Sequence, residues 1–252
     1  MSDICVFVGP TRLQKNPDRA HIYAPATLGS VFQAVLAGYK VICVIDGYFG
    51  NVPSVWHKEI LFALKSGVAV CGASSMGALR AAELHAYGMV GFGWVYRAFR
   101  LGVLQDDDEV CVLHAVPELN FEPLSEAMVN IRRSVRGMRI RGLIGRESEI
   151  RIASSLKELH FSKRTLPAVQ SAFEHEFGSK GAAKFDLYES GKVDVKALDA
   201  ELMLSAVLAS PAACKNDGWK LPATDYWIKQ FLAETSDIPP ISRWHPACRP
   251  TG

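Results

Sequence analysis

Two adjacent serines, Ser74 and Ser75, stand where the apolar run Val68-Ala69-Val70-Cys71 gives way to small residues. A helix-forming sequence, Met76-Gly77-Ala78-Leu79-Arg80-Ala81-Ala82-Glu83-Leu84, follows them. A strand-turn-helix with a hydroxyl at the turn presents a nucleophile, and its flanking residues must be small because the turn is tight and the helix packs back onto it. Ala73-Ser74-Ser75-Met76-Gly77 reads A-x-S-x-G, the G-x-S-x-G elbow with alanine at its first position and Ser75 at its centre. The same small residues also close ordinary strand-to-helix turns. Ser74 is then the N-cap of the helix, a supporting group, or the rival nucleophile.

A serine hydroxyl is barely nucleophilic near neutral pH and needs a base. Asp46, His57, Lys58, Glu59 and His85 are the candidates. His85 lies about three turns along the serine helix, roughly 15 Å from Ser75, and is a poor one. A helix opening at Pro53 puts His57 and Lys58 in its second turn, about 100° apart, so only one of them faces the serine turn. A lysine base requires burial or a nearby cation to bring its pKa toward neutrality, whereas a lysine on an amphipathic helix is usually solvated. Spacing leaves the base open. Backbone N–H groups of Met76 and Gly77 could form an oxyanion hole aided by the helix dipole, with Gly47 as a third member. Asp46-Gly47 either orients a base or simply makes a tight turn.

Other chemistry-bearing residues have plainer readings. None of the six cysteines (Cys5, Cys43, Cys71, Cys111, Cys214 and Cys248) forms a C-x-x-C pair, so zinc and thioredoxin spacings are missing. Four of them fall in expected strands, where a reduced thiol is a small hydrophobe. Asp106-Asp107-Asp108 could bind a metal, but a solvated loop before a strand is the favoured reading, and neither a metal nor another cofactor is expected. Arg132, Arg133, Arg136, Arg139, Arg141, Arg146 and Arg151 form the one basic concentration. It is either a face for an acidic partner or a solvated face ion-paired to Glu147, Glu149 and Glu158. With no stacking aromatics alongside, a protein partner is favoured over nucleic acid.

Alternating strands and helices must position these groups. Ile4–Val8, Val41–Ile45 and Val68–Cys71 are continuous apolar runs, expected of strands covered on both faces, and Glu109–His114 reads as a fourth. Residues 12–24 read as irregular. Helices are expected from about Leu28 to Ala37, capped by Thr27 and stopped by Gly38, from Pro53 to about Gly67, and from the serines to Tyr87. The fold class is α/β: a mainly parallel sheet with flanking helices in the N-terminal part, followed by a mostly helical C-terminal part. Its helices are expected near 124–135, 147–159, 167–177, 195–209 and 225–234. The loops Gly9-Pro10-Thr11, Asp46-Gly47-Tyr48-Phe49 and Ala73-Ser74-Ser75 share the carboxyl edge of the strands, where ligands bind. A formal net charge of +2 and 49% apolar residues argue for a packed core and against a highly charged nucleic-acid binder. No run is long enough for a bilayer and no signal peptide is seen, so a cytoplasmic protein is expected.

Several long strings resemble the TfuA-like family: Ile45-Asp46-Gly47-Tyr48-Phe49, Val55-Trp56-His57-Lys58-Glu59-Ile60, Gly72 to Leu84, Asp106-Asp107-Asp108-Glu109-Val110 and Ser125-Glu126-Ala127-Met128-Val129-Asn130. The resemblance implies a TfuA-like α/β core over residues 1–135 that carries the active site. Residues 136–252 then form a helical region with a proline-rich tail. It implies a partner of a YcaO enzyme in backbone thioamidation of a ribosomally made peptide, which meets this chain through YcaO. The activity implied is hydrolytic release of sulfide from a thiocarboxylated ThiS-type sulfur carrier by a serine–lysine pair. Carried onto this sequence, the lysine is Lys58 and the serine is Ser75 or Ser74, with Ser75 favoured by its S-M-G context. His57, Asp46 and Glu59 stay as possible catalytic or supporting groups, and Arg132, Arg133 and Arg136 as partner-binding residues. The alternative is a non-catalytic adaptor that brings carrier and peptide to YcaO. A hydrolase of small esters is a weaker rival, since no Ser-Asp-His order follows the elbow.

Overall fold

Four-residue apolar runs build the centre of the sheet in the computed structural model, which describes residues 3–14, 17–50 and 52–210. Strands β1 (Ile4–Phe7), β3 (Val41–Val44) and β4 (Ala69–Gly72) are buried at every position, as the sequence predicts. Two shorter strands, β2 (His21–Tyr23) and β5 (Val90–Gly91), form the edges. All pairings are parallel, in the order β2-β1-β3-β4-β5, with Ile4 opposite Val41 and Val41 opposite Ala69. This is the flavodoxin-like strand order, whose topological switch lies between β1 and β3.

Side chains alternate across a strand, so each apolar run offers two faces. On one face, Cys5, Phe7, Ile42, Val44 and Val70 pack with α1 (Ser30–Leu36), α2 (His57–Lys65) and α3 (Met76–Leu84). On the other, Ile4, Val6, Cys43, Ile45 and Cys71 pack with Ala200, Met203, Leu204 and Val207 of a helix much later in the chain. That late helix returns to the sheet by way of Asp199. Its carboxylate accepts the Trp94 and Val95 N–H groups (2.8 and 2.7 Å) at the start of α4 (Gly93–Arg100), supplying the N-cap that Phe92 lacks.

The remaining helices are α5 (Met128–Ile140), α6 (Arg146–Lys157), α7 (Leu166–Phe177), α8 (Gly181–Ser190) and α9 (Val195–Ala209), the late helix just described. Two compact units result, Met1–Val103 with Ala197–Gly252, and Leu104–Lys196. Residue 135, where the sequence divides, falls inside α5. In the second unit Met128, Ile131, Val135, Ile152, Leu156, Val169, Phe173 and Tyr188 form one core. Phe177, partly buried, packs against this core one helical turn beyond Phe173.

Residues 109–114 do not form the expected fourth strand. Asp107–Glu109 make a single 3-10 turn, and His114 makes an isolated antiparallel bridge with Pro123. Cations hold the acidic run in this turn. Lys157 pairs with Asp106 (3.0 Å), Asp108 and Glu109 (3.2 Å), and Arg132 grips Glu109 with two bonds of 2.9 Å. Arg164, fully buried, pairs with Asp108 and donates to the Leu156 and Asp108 carbonyls. The helix expected at 225–234, Cys214, Cys248 and the proline-rich tail lie outside the described residues. Among the described residues no helix is long and apolar enough to cross a membrane.

Candidate active site

The loops after β1, β3 and β4 are tied together by one carboxylate and two hydroxyls. Asp46, at the end of β3, is 1% exposed. Its Oδ2 accepts the N–H groups of Gly9 and Thr11 (2.9 Å each), and its Oδ1 accepts the Thr11 hydroxyl at 2.8 Å. The Thr11 Oγ1 lies 2.9 Å from the Ser74 Oγ. Asp46 thus closes the β1 loop down on the switch point, where the amides of such a loop would otherwise face a ligand. The Asp46 carboxylate organises these loops.

Ser74 is a non-glycine residue with a positive φ at this edge. Its φ is 70°, and the Ser75 N–H donates to the Ala73 carbonyl at 2.9 Å, closing a γ-turn over it. This turn is rare and strained for a residue with a side chain, at a cost of about 1–3 kcal/mol, and such strain collects at functional sites. The buried hydroxyl bond to Thr11 offsets part of it, roughly 1 kcal/mol. Ser74 is 0% exposed and Ser75 3%.

Ser75, rather than Ser74, occupies the N-cap position of α3, and its carbonyl accepts from Ala78 and Leu79. Its hydroxyl does not cap the helix. The small residues around the serines are explained by contact. A Cβ on Gly77 would sit 1.7 Å from the Val44 carbonyl oxygen, and one on Gly72 would sit 2.1 Å from the Gly77 oxygen. The first turn of α3 therefore lies directly on the backbone of β3 and β4. The Gly77 N–H donates to the Ile45 carbonyl at 3.2 Å, so it serves this seam. Met76 follows the serines at the first position of α3, and a Cβ on Gly47 would meet its Cγ at 2.8 Å.

The base candidates separate by position. α2 begins at His57, four residues later than Pro53 suggests. The reason is a local cap: the Glu59 Oε1 accepts the Trp56 N–H at 3.0 Å, while the Pro53 carbonyl is turned to the Leu28 N–H. Lys58 is consequently the second residue of α2, in its first turn, and half-buried. His57 is exposed and its Nε2 lies 2.8 Å from Glu83 on α3, a carboxylate shared with Arg80 at 2.7 Å. Glu59 is buried beneath the starts of two helices, accepting from Trp56 and, at 3.5 Å, from Phe32. Burial raises its carboxyl to about 7, even though the backbone amides of Trp56, Gly29, Phe32 and Val31 pull the other way. It is a cap for α1 and α2.

Among the described residues, Cys5, Cys43, Cys71 and Cys111 are buried thiols. Burial lifts Cys5 well above its usual range, and the hydrogen bond with Cys71 together with burial does the same for Cys43. Burial pushes Cys111 up to about 12. A nucleophilic thiolate needs the opposite shift. In the arginine cluster, ion pairing dominates: Arg132 with Glu109, Arg139 with Glu149, and Arg151 with Glu147 and Glu176. Arg133 is half-buried and Arg136 exposed on the same helix.

Thr11 is the site residue that sequence reasoning did not single out. Its loop was placed at the carboxyl edge, but a threonine after Gly-Pro reads as a turn residue. The one sign of it was a hydroxyl one loop away from Asp46.

No curated protein matches the chain. The model of the family described as TfuA-like protein matches residues 46–165, from Asp46 through Lys58 and both serines to the residue after Arg164. Over that stretch the chain is similar to TfuA-like proteins, a family associated with YcaO-type thioamidation.

Proposed function

We propose that this chain releases sulfide from the thiocarboxylated C-terminus of a ThiS-type carrier protein for a YcaO partner, with Ser75 as nucleophile and Lys58 as base. The observation that carries this reading is the strained serine turn at the sheet's carboxyl edge, directly before α3. The Ser75 oxygen adds to the thiocarboxylate carbon as its proton passes to Lys58. The C–S bond then breaks and Lys58 returns the proton to sulfur, so that hydrosulfide leaves and an ester to Ser75 remains. Water hydrolyses that ester, giving the carrier carboxylate, one proton and the serine again. The Met76 N–H at the positive end of α3 stabilises the developing charge, with Gly47 as the neighbouring backbone. Arg133 and Arg136 belong to the surface offered to the YcaO partner, and the ribosomal peptide is met through that partner.

The test is incubation of purified protein with thiocarboxylated carrier, reading sulfide and carrier mass, with and without the YcaO protein. Ser75→Ala and Lys58→Ala should each cut release by about 10³-fold or more without unfolding the chain. Full activity in both variants refutes the pair, and loss in Ser74→Ala with retention in Ser75→Ala moves the nucleophile to Ser74. The near-complete burial of both serines favours a second reading, an adaptor that recruits carrier and peptide. It is the result if wild-type protein binds the carrier and YcaO yet never alters the carrier's mass.

A further inference from the structure

Three hydroxyl and carboxylate groups from three loops form a chain whose hydrogen-bond direction follows from donor counting. The carboxylate of Asp46 takes two amide N–H groups on Oδ2 and the Thr11 hydroxyl on Oδ1. A carboxylate accepts, so the single Thr11 hydroxyl hydrogen goes to Asp46. Thr11 Oγ1 then meets Ser74 with lone pairs only, and the 2.9 Å contact requires Ser74 to donate. The order is Ser74 to Thr11 to Asp46, and every group in it is buried. The Ser74 proton is thereby turned into the protein, at the one non-glycine residue of the serine turn whose backbone is in the left-handed region.

We propose that Thr11 and Asp46 are positioning residues of the catalytic turn: their one-way hydrogen-bond chain anchors Ser74 inward, and the anchored γ-turn fixes Ser75 at the start of α3 in the geometry for attack. The proposal rests on the reading of Ser75 as the nucleophile. A strained turn holds a single geometry only when its surroundings over-determine it. Here the turn is fixed from two sides. The glycine seam of α3 on β3 and β4 fixes its helix end. The Thr11–Asp46 chain fixes its side chain. With Thr11 lost, the seam remains and the helix stays in place, but the turn gains freedom at Ser74. The effect falls on the rate of attack and leaves carrier binding unaffected.

Thr11→Val keeps the shape and removes the hydroxyl, and Thr11→Ser restores it. In the sulfide-release assay Thr11→Val should lower kcat by about 10- to 100-fold with KM within about twofold, because a small misplacement of a reacting atom costs on that order. Thr11→Ser should recover most of the loss. Thermal unfolding of each variant reports folding, and if Thr11→Val does not fold, Ser74→Ala removes the other end of the same bond and should give the same partial loss. Wild-type kcat in Thr11→Val, or in Ser74→Ala where that variant is used, overturns the positioning role. So does a Thr11→Ser variant as slow as Thr11→Val. The two proposals fail differently. Wild-type protein that releases no sulfide refutes the Ser75 reading and the positioning role together. Release that persists unchanged in Thr11→Val refutes the positioning role alone.

Discussion

Replacing Glu59 by glutamine should flatten the pH dependence of stability in the sheet-bearing unit. Burial beneath α1 and α2 raises this carboxyl from its ordinary value of 4.5 to about 7. Between those two pH values the native state holds a proton that the unfolded chain has lost, so stability falls as pH rises. The contribution is fully present below pH 4.5 and is gone once pH has risen through the folded pKa near 7. At about 1.4 kcal/mol per pH unit, the interval corresponds to roughly 3 kcal/mol. Glutamine keeps an acceptor oxygen for the Trp56 N–H and has nothing to titrate. Urea unfolding at several values from about pH 5 to 8 gives the comparison. The difference between wild type and Glu59→Gln should shift by roughly 2–3 kcal/mol across that range, with the wild type losing ground as pH rises. Amide exchange in α1 and α2 locates the effect, because both helix starts sit on this carboxylate. Parallel stability curves, or a wild type that gains stability over the same range, would refute the reasoning.

Two further substitutions probe the frame around the site and the second unit. Gly77→Ala drives a methyl group to 1.7 Å from the Val44 carbonyl oxygen, a backbone atom that cannot step aside. It should destabilise the sheet-bearing unit by about 3 kcal/mol, seen as a lowered Tm, and displace the serine turn in whatever fraction still folds. Arg164→Ala removes a fully buried guanidinium that joins Asp108 to the Leu156 and Asp108 carbonyls. A loss of about 3 kcal/mol is expected in denaturant titration, as is usual when one partner of a buried pair is deleted.

The sequence shows the central sheet clearly because β1, β3 and β4 are apolar throughout, a pattern that only a doubly covered strand sustains. The edge strands leave little trace. β2 and β5 have three and two residues, and His21 or Gly91 announces no strand. Glu109–His114 misleads in the opposite way. Val110, Cys111 and Val112 resemble a strand, but the carboxylates before them are captured by Lys157, Arg132 and Arg164. Such capture depends on helices far along the chain and is invisible to a local pattern. The serine turn was legible from its small residues, and Gly72 and Gly77 are small for the reason the motif implies. What the pattern could not carry is the angle at Ser74 or the hydroxyl of Thr11. Both depend on which loops a parallel order brings side by side. The start of α2 moved from Pro53 to His57 because a buried glutamate, itself shared with α1, sets the cap.

The placement of α9 on the sheet has a consequence for how the chain reaches its native state. The last strand ends at Gly91, yet the helix that covers Ile4, Val6, Cys43, Ile45 and Cys71 begins only at Val195. Roughly 100 residues must be synthesised in between, which at about 5–20 residues per second is some 5–20 seconds. During that interval the sheet has one face covered by α1, α2 and α3 and the other bare, a parallel β surface of the kind that recruits chaperones or aggregates. Leu104–Lys196 meanwhile has its own core in Met128, Ile131, Phe173 and their neighbours, so it can fold before the unit it interrupts is finished. The unit that bears the serines begins first and is completed last. A fragment cut at residue 135 would keep Ser75, Lys58 and Asp46 and permanently lack the helix that completes their sheet.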